Sequence, residues 1–263
     1  MAITTDDFMA MPVPNPPVPE QQKIADCLSS LDDLIQLETH KLDALKAHKK
    51  GLMQQLFPRE DETIPRLRFP EFRDAGPWKY SKLEPYLEPY RERIAASICE
   101  YPVYTSSREG LKPQTEYFDG RELANESEYG VVPPGYFVYR HMSDDATFKF
   151  NLNETGGPIA VSKEYPVFKT SNLHTRFLLI LLNEVGHFKH FAAVQRKGGT
   201  RTRLYFKTLC SFTLPLPSPD EQQKIADCLS SLDELIQLEA QKLNALKAHK
   251  KGLLQQLFPQ EVE

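Results

Sequence analysis

The sequence predicts an α+β fold, in which one mixed α/β domain is flanked by two long antiparallel coiled-coil helices. Three observations support this prediction. A long helical segment occurs twice, both copies carry the apolar spacing of a coiled coil, and the residues between them are rich in short aromatic and β-branched runs.

The duplicated segment occupies residues 20–58 and 221–259. The two copies are offset by 201 residues and identical at 34 of 39 positions. Proline lies just before each copy and at its last position, and proline is tolerated at the start of a helix but ends it. The five differences are mild: Asp33/Glu234, Thr39/Ala240, His40/Gln241, Asp43/Asn244 and Met53/Leu254. We therefore predict one helix over 20–58 and a second, after a proline-rich lead, within 214–263.

Apolar residues recur along each copy with alternating spacings of four and three, the pattern of a coiled-coil seam. In the first copy they are Ile24, Leu28, Leu31, Ile35, Leu42, Leu45, Leu52 and Leu56. A stripe of this length needs a partner to cover it. Simple core packing would explain the stripes equally well, but it does not explain the duplication.

Two seam positions are charged, Glu38 and Lys49, and they recur as Glu239 and Lys250. Antiparallel pairing lets Glu38 face Lys250 and Lys49 face Glu239, whereas parallel pairing in register would stack like charges. The predicted helix-pairing residues are Ile35, Glu38, Leu42, Leu45, Lys49, Ile236, Glu239, Leu243, Leu246 and Lys250. This pairing of charges leaves open whether the partner helix belongs to the same chain or to another.

Residues 59–213 are predicted to form the α/β domain. Strand-like runs are separated by glycine and proline, and the thick apolar face of Asn172–Ala193 predicts one strong helix. The strand-like runs are Tyr101–Thr105, Gly130–Val132, Tyr136–Tyr139, Pro158–Val161 and Leu204–Phe206.

The basic residues of the chain concentrate in this middle part. The whole chain has a net charge of −4, but residues 66–207 contain 21 Lys and Arg against 17 Asp and Glu. The segment 195–207, QRKGGTRTRLYFK, has five basic residues and no acidic one. Arg201 and Arg203 alternate around Thr202, as on one face of a strand. Lysine and arginine hold phosphates, and arginine also reads base edges. The candidate DNA-binding residues are Arg196, Lys197, Thr200, Arg201, Thr202 and Arg203, with Arg108, Lys112, Arg91 and Arg93 as weaker candidates. A solvated basic loop explains a lone cluster of this kind at least as well.

Catalytic motifs are missing from the sequence. It has no phosphate-binding G-x-x-x-x-G-K-[ST] loop, no G-x-G-x-x-G, no H-E-x-x-H and no G-x-S-x-G. The four cysteines have no C-x-x-C spacing, which favours reduced thiols over a disulfide framework or a zinc site. No apolar run approaches the roughly 20 residues of a membrane span. We therefore expect a cytoplasmic protein without catalytic residues, cofactor, metal or membrane association.

The helix motif and its flanks resemble a known family. A proline-rich lead, PEQQKIADCLSSLDDLI…KLDALKAHKKGLMQQLFP, and PRLRFPEF before a tryptophan resemble the specificity subunits of type I restriction–modification systems, as does the second lead LPLPSPDEQQKIADCL. The sequence Gly199-Thr200-Arg201 lies near the end of the corresponding recognition domain. The resemblance covers almost the whole chain.

The resemblance implies that the subunit binds double-stranded DNA and carries no catalysis of its own. Such subunits have two target-recognition domains, each reading half of a split site, and two helices that set the domain spacing. The helices dock the type I modification (methyltransferase) subunits, which the type I restriction (motor-nuclease) subunit joins.

This chain departs from that plan because it has two helices around one domain. Residues 1–19 resemble only the remnant of a preceding recognition domain. The expected function is to read half of a bipartite site, with a homodimer as one way to supply a second reader. The alternative is a scaffold or decoy that binds modification subunits without reading DNA.

Overall fold

The computed structural model describes residues 15–118, 127–195 and 201–258. The chain divides into two compact units, each described here by itself. Of the described residues, the first contains 15–50 and 231–258, and the second contains 51–118, 127–195 and 201–230. The division cuts through both long helices, so that the end of the first and the start of the second belong to the domain.

The two copies of the repeat form two helices of 39 residues each, α1 (Val18–Leu56) and α6 (Pro219–Leu257). In the first unit they pair antiparallel within the chain, which confirms the predicted architecture. Along the seam, the predicted positions are buried or half-buried. Buried are Glu38, Leu42, Lys49, Glu239 and Leu243, and half-buried are Ile35, Leu45, Ile236, Leu246 and Lys250.

The predicted register of the helices is wrong by about one heptad. Glu38 accepts a hydrogen bond from Lys242 at 2.5 Å, and Lys49 donates to Asp233 at 2.7 Å. The mirror contacts join Lys41 to Glu239 and Lys250 to Asp32. The prediction considered only seam residues facing one another. In the structure each seam charge instead meets a flanking residue of the other helix, which gives four ion pairs rather than two. The Lys242 ammonium lowers the pKa of the buried Glu38 carboxyl.

Within the described residues, four short α-helices, three single-turn 3-10 helices and thirteen strands make up the rest of the domain. The 3-10 helices are Pro70–Phe72, Glu84–Tyr86 and Ala96–Ile98. The α-helices are α2 (Gln114–Tyr117), α3 (Thr175–Glu184), α4 (Gly186–Val194) and α5 (Phe206–Cys210). The strands are β1 (Lys79–Lys82), β2 (Leu87–Tyr90), β3 (Arg93–Ala95), β4 (Tyr104–Ser107), β5 (Gly110–Pro113), β6 (Glu128–Val132), β7 (Phe137–Tyr139), β8 (Met142–Ser143), β9 (Phe150–Leu152), β10 (Ile159–Ser162), β11 (Val167–Thr170), β12 (Thr202–Arg203) and β13 (Thr213–Leu216).

The strands form small antiparallel sheets. One has the order β2-β11-β7-β9 and another β10-β6-β3, and the pairs β1-β13, β4-β5 and β8-β12 complete the set. Stacked and edge-to-face aromatic rings fill the core of the domain, with Phe137, Phe150, Phe168, Phe177 and Phe188 at most 2% exposed. A rigid β framework of this kind positions the loops and short strands described below.

Two predicted elements of the domain are wrong. The helix expected over Asn172–Ala193 is two helices, α3 and α4, bent by 62°. Val185 between them is extended, with φ −87° and ψ 133°, so the helical ladder breaks there. The strand expected at Leu204–Phe206 lies instead at β12, and Phe206 already begins α5.

The ends of both long helices take part in this core. Leu56 and Phe57 from the end of α1 belong to the same core cluster as Trp78 and Phe177, and so do Ile225, Ala226 and Leu229 from the start of α6. Arg68 donates to the Glu221 carboxylate from Nε at 2.7 Å and from Nη2 at 2.8 Å, and both side chains are buried. The start of α6 is therefore bound tightly by the domain.

Among the described residues no single helix combines the length and apolarity of a membrane span, although α3 and α4 taken together pass that test of length and composition. The four cysteines, all within the described ranges, are free.

Candidate nucleic-acid interface

Strand β12 orders the central part of the predicted basic segment. It pairs antiparallel with β8, with Thr202 opposite Ser143 and Arg203 opposite Met142. Because side chains alternate along a strand, Thr202 and Leu204 point into the domain while Arg201, Arg203 and Tyr205 are exposed. The two arginines therefore share one surface, as the sequence predicted.

Thr202 does not belong to that surface. Its hydroxyl is predicted to contact DNA, but the residue is only 1% exposed. The same alternation that turns the arginines outward turns Thr202 inward. Arg196, Lys197 and Thr200 lie outside the described residues, so their predicted role stays a prediction.

A small polar cleft brings Arg201 together with Arg108, which is 93 residues away in the chain. Its volume of about 70 Å³ has room for a few water molecules. Its basic lining residues are Arg108, Arg140, Lys149 and Arg201. Ser106, Ser107 and Ser143 add hydroxyl groups. This combination of cations, hydroxyls and space for water suits contacts with phosphates and base edges.

The Arg108 guanidinium is held by a hydrogen-bonded network at the rim of this cleft. Asp145 accepts from Arg108 Nη1 at 2.9 Å, from the Ser143 hydroxyl at 2.8 Å and from the Thr147 amide at 3.0 Å. These donors, Arg108 first, hold the pKa of the Asp145 carboxyl well below its usual range. Arg201 is paired likewise, from Nε to Asp144 at 3.0 Å. The two carboxylates thus hold the N–H donors of both guanidinium groups in fixed positions on the surface.

A hydrogen bond between sheet and hairpin places Arg108. The Asn151 amide on β9 donates to the Ser106 hydroxyl at 2.8 Å and to the Ser107 carbonyl at 3.0 Å. These contacts fix the β4–β5 hairpin, whose turn carries Arg108. Lys112 lies on the same hairpin, but its ammonium is paired with Glu109, and it does not line the cleft.

A second, larger cleft of about 540 Å³ contains the other two predicted residues, Arg91 and Arg93. Tyr205 lines it as well, 53% exposed and stacked on His141 with ring centroids 5.8 Å apart. Burial lowers the pKa of the His141 imidazole. Arg93 contacts Glu128 at 3.4 Å. Because Arg201 lines the first cleft and Tyr205 the second, the segment from 201 to 205 connects the two.

Sequence reasoning missed Arg140, Lys149 and Tyr205. Arg140 directly follows the predicted strand Tyr136–Tyr139, and strand ends are common places for binding residues. Tyr205 lies inside the basic segment, and its stacking on His141, which the sequence does not reveal, makes it part of the surface. Among the described residues no group of three or more His, Cys, Asp or Glu is arranged to hold a metal ion.

Comparison with known proteins identifies the family. The profile described as type I restriction modification DNA specificity domain matches residues 1–47 and 142–248, which is more than half of the chain. The type I restriction enzyme MjaVIII specificity subunit of Methanocaldococcus jannaschii is 23% identical over 270 residues, covering 95% of this chain and 62% of that one. The chain belongs to the family of type I restriction–modification specificity subunits.

Solved structures share the fold. The HsdS subunit of Thermoanaerobacter tengcongensis matches with a TM-score of 0.55 at 15% identity, over 98% of this chain and 63% of that one. The type I S subunit of M. genitalium matches with a TM-score of 0.56 at 13% identity, over 93% and 62%. The chain therefore spans about three fifths of the length of these relatives.

Proposed function

We propose that this chain is the DNA-specificity subunit of a type I restriction–modification complex. Its domain would read half of a bipartite double-stranded site. The observation that carries the proposal is the exposed face of β12 with Arg201 and Arg203, together with the cleft in which Arg201 meets Arg108, Arg140 and Lys149. Phosphate contacts from such residues give salt-dependent affinity, and arginine forks can discriminate bases.

The proposal assigns catalysis and cleavage to partner subunits. The two long helices of the chain would dock the modification subunits, and the restriction subunit would join that assembly. The relative from Methanocaldococcus jannaschii is named as the specificity subunit of a type I restriction enzyme, which supports this division of labour.

A second reader would complete a bipartite site. The start of α1 has the residues that the domain covers at the start of α6, namely Glu20, Gln21, Ile24, Ala25 and Leu28 in place of Glu221, Gln222, Ile225, Ala226 and Leu229. In α1 Glu20, Gln21 and Ala25 are exposed. A recognition domain from a second chain, in a homodimer or a mixed complex, would find matching residues there.

Charge reversal at the interface tests DNA reading. The chain is combined with its modification subunits and presented with a pool of random double-stranded oligonucleotides, from which bound sequences are selected. We expect one enriched half-site, and we expect the Arg201→Glu and Arg203→Glu substitutions to lower affinity and reduce the slope of log affinity against log salt by about one per lost phosphate contact.

Arg73→Glu is the matched control, because Arg73 is also exposed on the domain but lies outside both clefts. Equal binding of selected and scrambled DNA by the complex would contradict the proposal.

The scaffold or decoy function is the second candidate, favoured by the single recognition domain among the described residues. A scaffold would show no DNA sequence preference in its unaltered form. It would also still bind modification subunits after the charges of Arg196, Lys197, Arg201 and Arg203 are all reversed. The same experiment therefore separates the two functions.

A further inference from the structure

Two arginines of the small polar cleft are paired with carboxylates, but they use different parts of their guanidinium groups. Arg108 donates to Asp145 from both Nη atoms, and its Nη2 also donates to the Ser143 hydroxyl at 3.3 Å. Arg201 donates to Asp144 from Nε at 3.0 Å. Within the ranges that the structure describes, neither Nη atom of Arg201 has a hydrogen-bond partner. The Nη end of Arg201 is therefore open, whereas that of Arg108 is occupied.

The open end of Arg201 matches one base edge in particular. A guanidinium group is planar, so a carboxylate bound at Nε fixes the plane in which the Nη donors lie. In the major groove, guanine presents the acceptors N7 and O6, and the bidentate contact of arginine with these two atoms is the commonest specific contact to DNA. The Arg201 side chain is 57% exposed, so its Nη atoms are accessible to such an edge.

The charges around Arg201 favour a base over a phosphate. The Asp144 side chain is 77% exposed beside it, so this carboxylate would repel a phosphate bound at Arg201, whereas a base edge carries no net charge. Arg140 and Lys149 in the same cleft, and Arg203 on β12, form no ion pair with any described carboxylate. These three cations are therefore the better partners for phosphates, and Arg201 is the better partner for a base.

We propose that Arg201 determines base specificity by donating from its two Nη atoms to O6 and N7 of a guanine in the major groove. Asp144 is the positioning residue, because it holds the guanidinium plane through Nε. Arg108, whose Nη atoms are bound within the protein, contributes positive charge without selecting a base. The inference rests on the proposed function and names one base that the domain reads.

Base analogues test this contact in the unaltered protein. The full chain is combined with its modification subunits, and a half-site is selected from random double-stranded DNA. We expect this half-site to contain a guanine that is preferred at least about fivefold over each other base. Replacing it with 7-deazaguanine, which lacks N7, is expected to lower the affinity about threefold or more. Hypoxanthine lacks only the amino group that faces the minor groove, so it is the matched control and is expected to bind like guanine.

Substitutions in the same complex assign the contact to Arg201. Arg201→Ala is expected to remove the guanine preference at this position alone, and 7-deazaguanine is expected to cause no further loss of affinity in this variant. Asp144→Ala is expected to weaken the same preference but to raise the affinity for scrambled DNA, because it releases the guanidinium plane and removes a negative charge. A merely structural role of Asp144 would not produce these two opposite changes. Arg73→Ala is the matched control, since Arg73 is exposed outside both clefts.

The outcomes separate this inference from the proposed function. Absence of any sequence preference in the unaltered complex would overturn the proposed function and the inference with it. A selected half-site that binds equally well without guanine N7 would overturn the inference alone, whether or not the variants fold. A guanine preference that survives in Arg201→Ala but is lost in Arg108→Ala would also overturn it, because the base would then be read by the arginine whose Nη atoms are occupied.

Discussion

The two copies of one helix start behave differently in this molecule. At the start of α6, Ile225, Ala226 and Leu229 are at most 1% exposed and belong to the core of the domain. At the start of α1 the identical residues Ile24 and Leu28 are only half-buried, and Ala25 is exposed. Because the sequences agree, the difference arises from what covers each copy. A residue's contribution to stability here depends on its surroundings and not on its type.

The largest expected effect comes from breaking the buried ion pair at α6. Glu221→Ala leaves the buried Arg68 guanidinium without its carboxylate, and loss of one partner of a buried pair costs about 3–5 kcal/mol. Glu20→Ala, the same change in the exposed copy, is expected to cost less than about 1 kcal/mol, the range of a charge in the first turn. Urea unfolding followed by circular dichroism measures both, and equal losses would refute the comparison.

A cavity in the covered copy is expected to cause the next largest loss of stability. Leu229→Ala is expected to lower the free energy of unfolding by about 2–5 kcal/mol, since the side chain is 0% exposed. Leu28→Ala removes a half-buried side chain and is expected to cost about 1 kcal/mol. If Leu28→Ala were the more damaging change in thermal and urea unfolding, the exposed copy would have to be covered in solution.

Overpacking is expected to produce a smaller difference in stability between the two copies. Ala226→Leu adds volume to a filled core and is expected to cost about 1–3 kcal/mol. Ala25→Leu places the same atoms in solvent, where a surface substitution changes stability by about 0.5 kcal/mol at most. A comparable loss of stability in the two variants, measured by differential scanning calorimetry, would count against the assigned environments.

The smallest effect is one that the two copies share. The folded pKa of Glu38 is lowered by Lys242, so its stabilisation of the helix pair is fully present above the ordinary carboxyl pKa of about 4.3 and is lost as pH falls through the folded value. Amide exchange in the middle of α1 and α6 is expected to accelerate alike as pH falls below the ordinary carboxyl pKa. Glu38→Gln should flatten that pH dependence, and an unchanged profile in this variant would contradict the assignment.

The sequence predicted the architecture of this chain well where the signal was periodic. The 4,3 spacing indicated both helices and their seam, because burial follows from position along a regular helix. The register was not predictable from seam residues alone, because the ion pairs join seam residues to residues beside the seam. Lys41 pairs with Glu239, and Asp233 pairs with Lys49.

The candidate site was predictable in part for a similar reason. Alternation along a strand indicated that Arg201 and Arg203 share a face, but the same alternation turns Thr202 inward, contrary to its predicted role as a DNA contact. Arg140 and Lys149 line the same cleft as Arg108 only because separate strands pack together, and no local sequence pattern predicts this proximity.

The near-identity of α1 and α6 has a consequence for how chains of this kind can be recombined. A crossover at any point within the 39 shared residues would join the beginning of one copy to the end of the other. The resulting helix could differ from either parent at no more than five positions, none of them in the seam. Whole domains could therefore be gained, lost or exchanged between such genes without redesigning the scaffold that carries them.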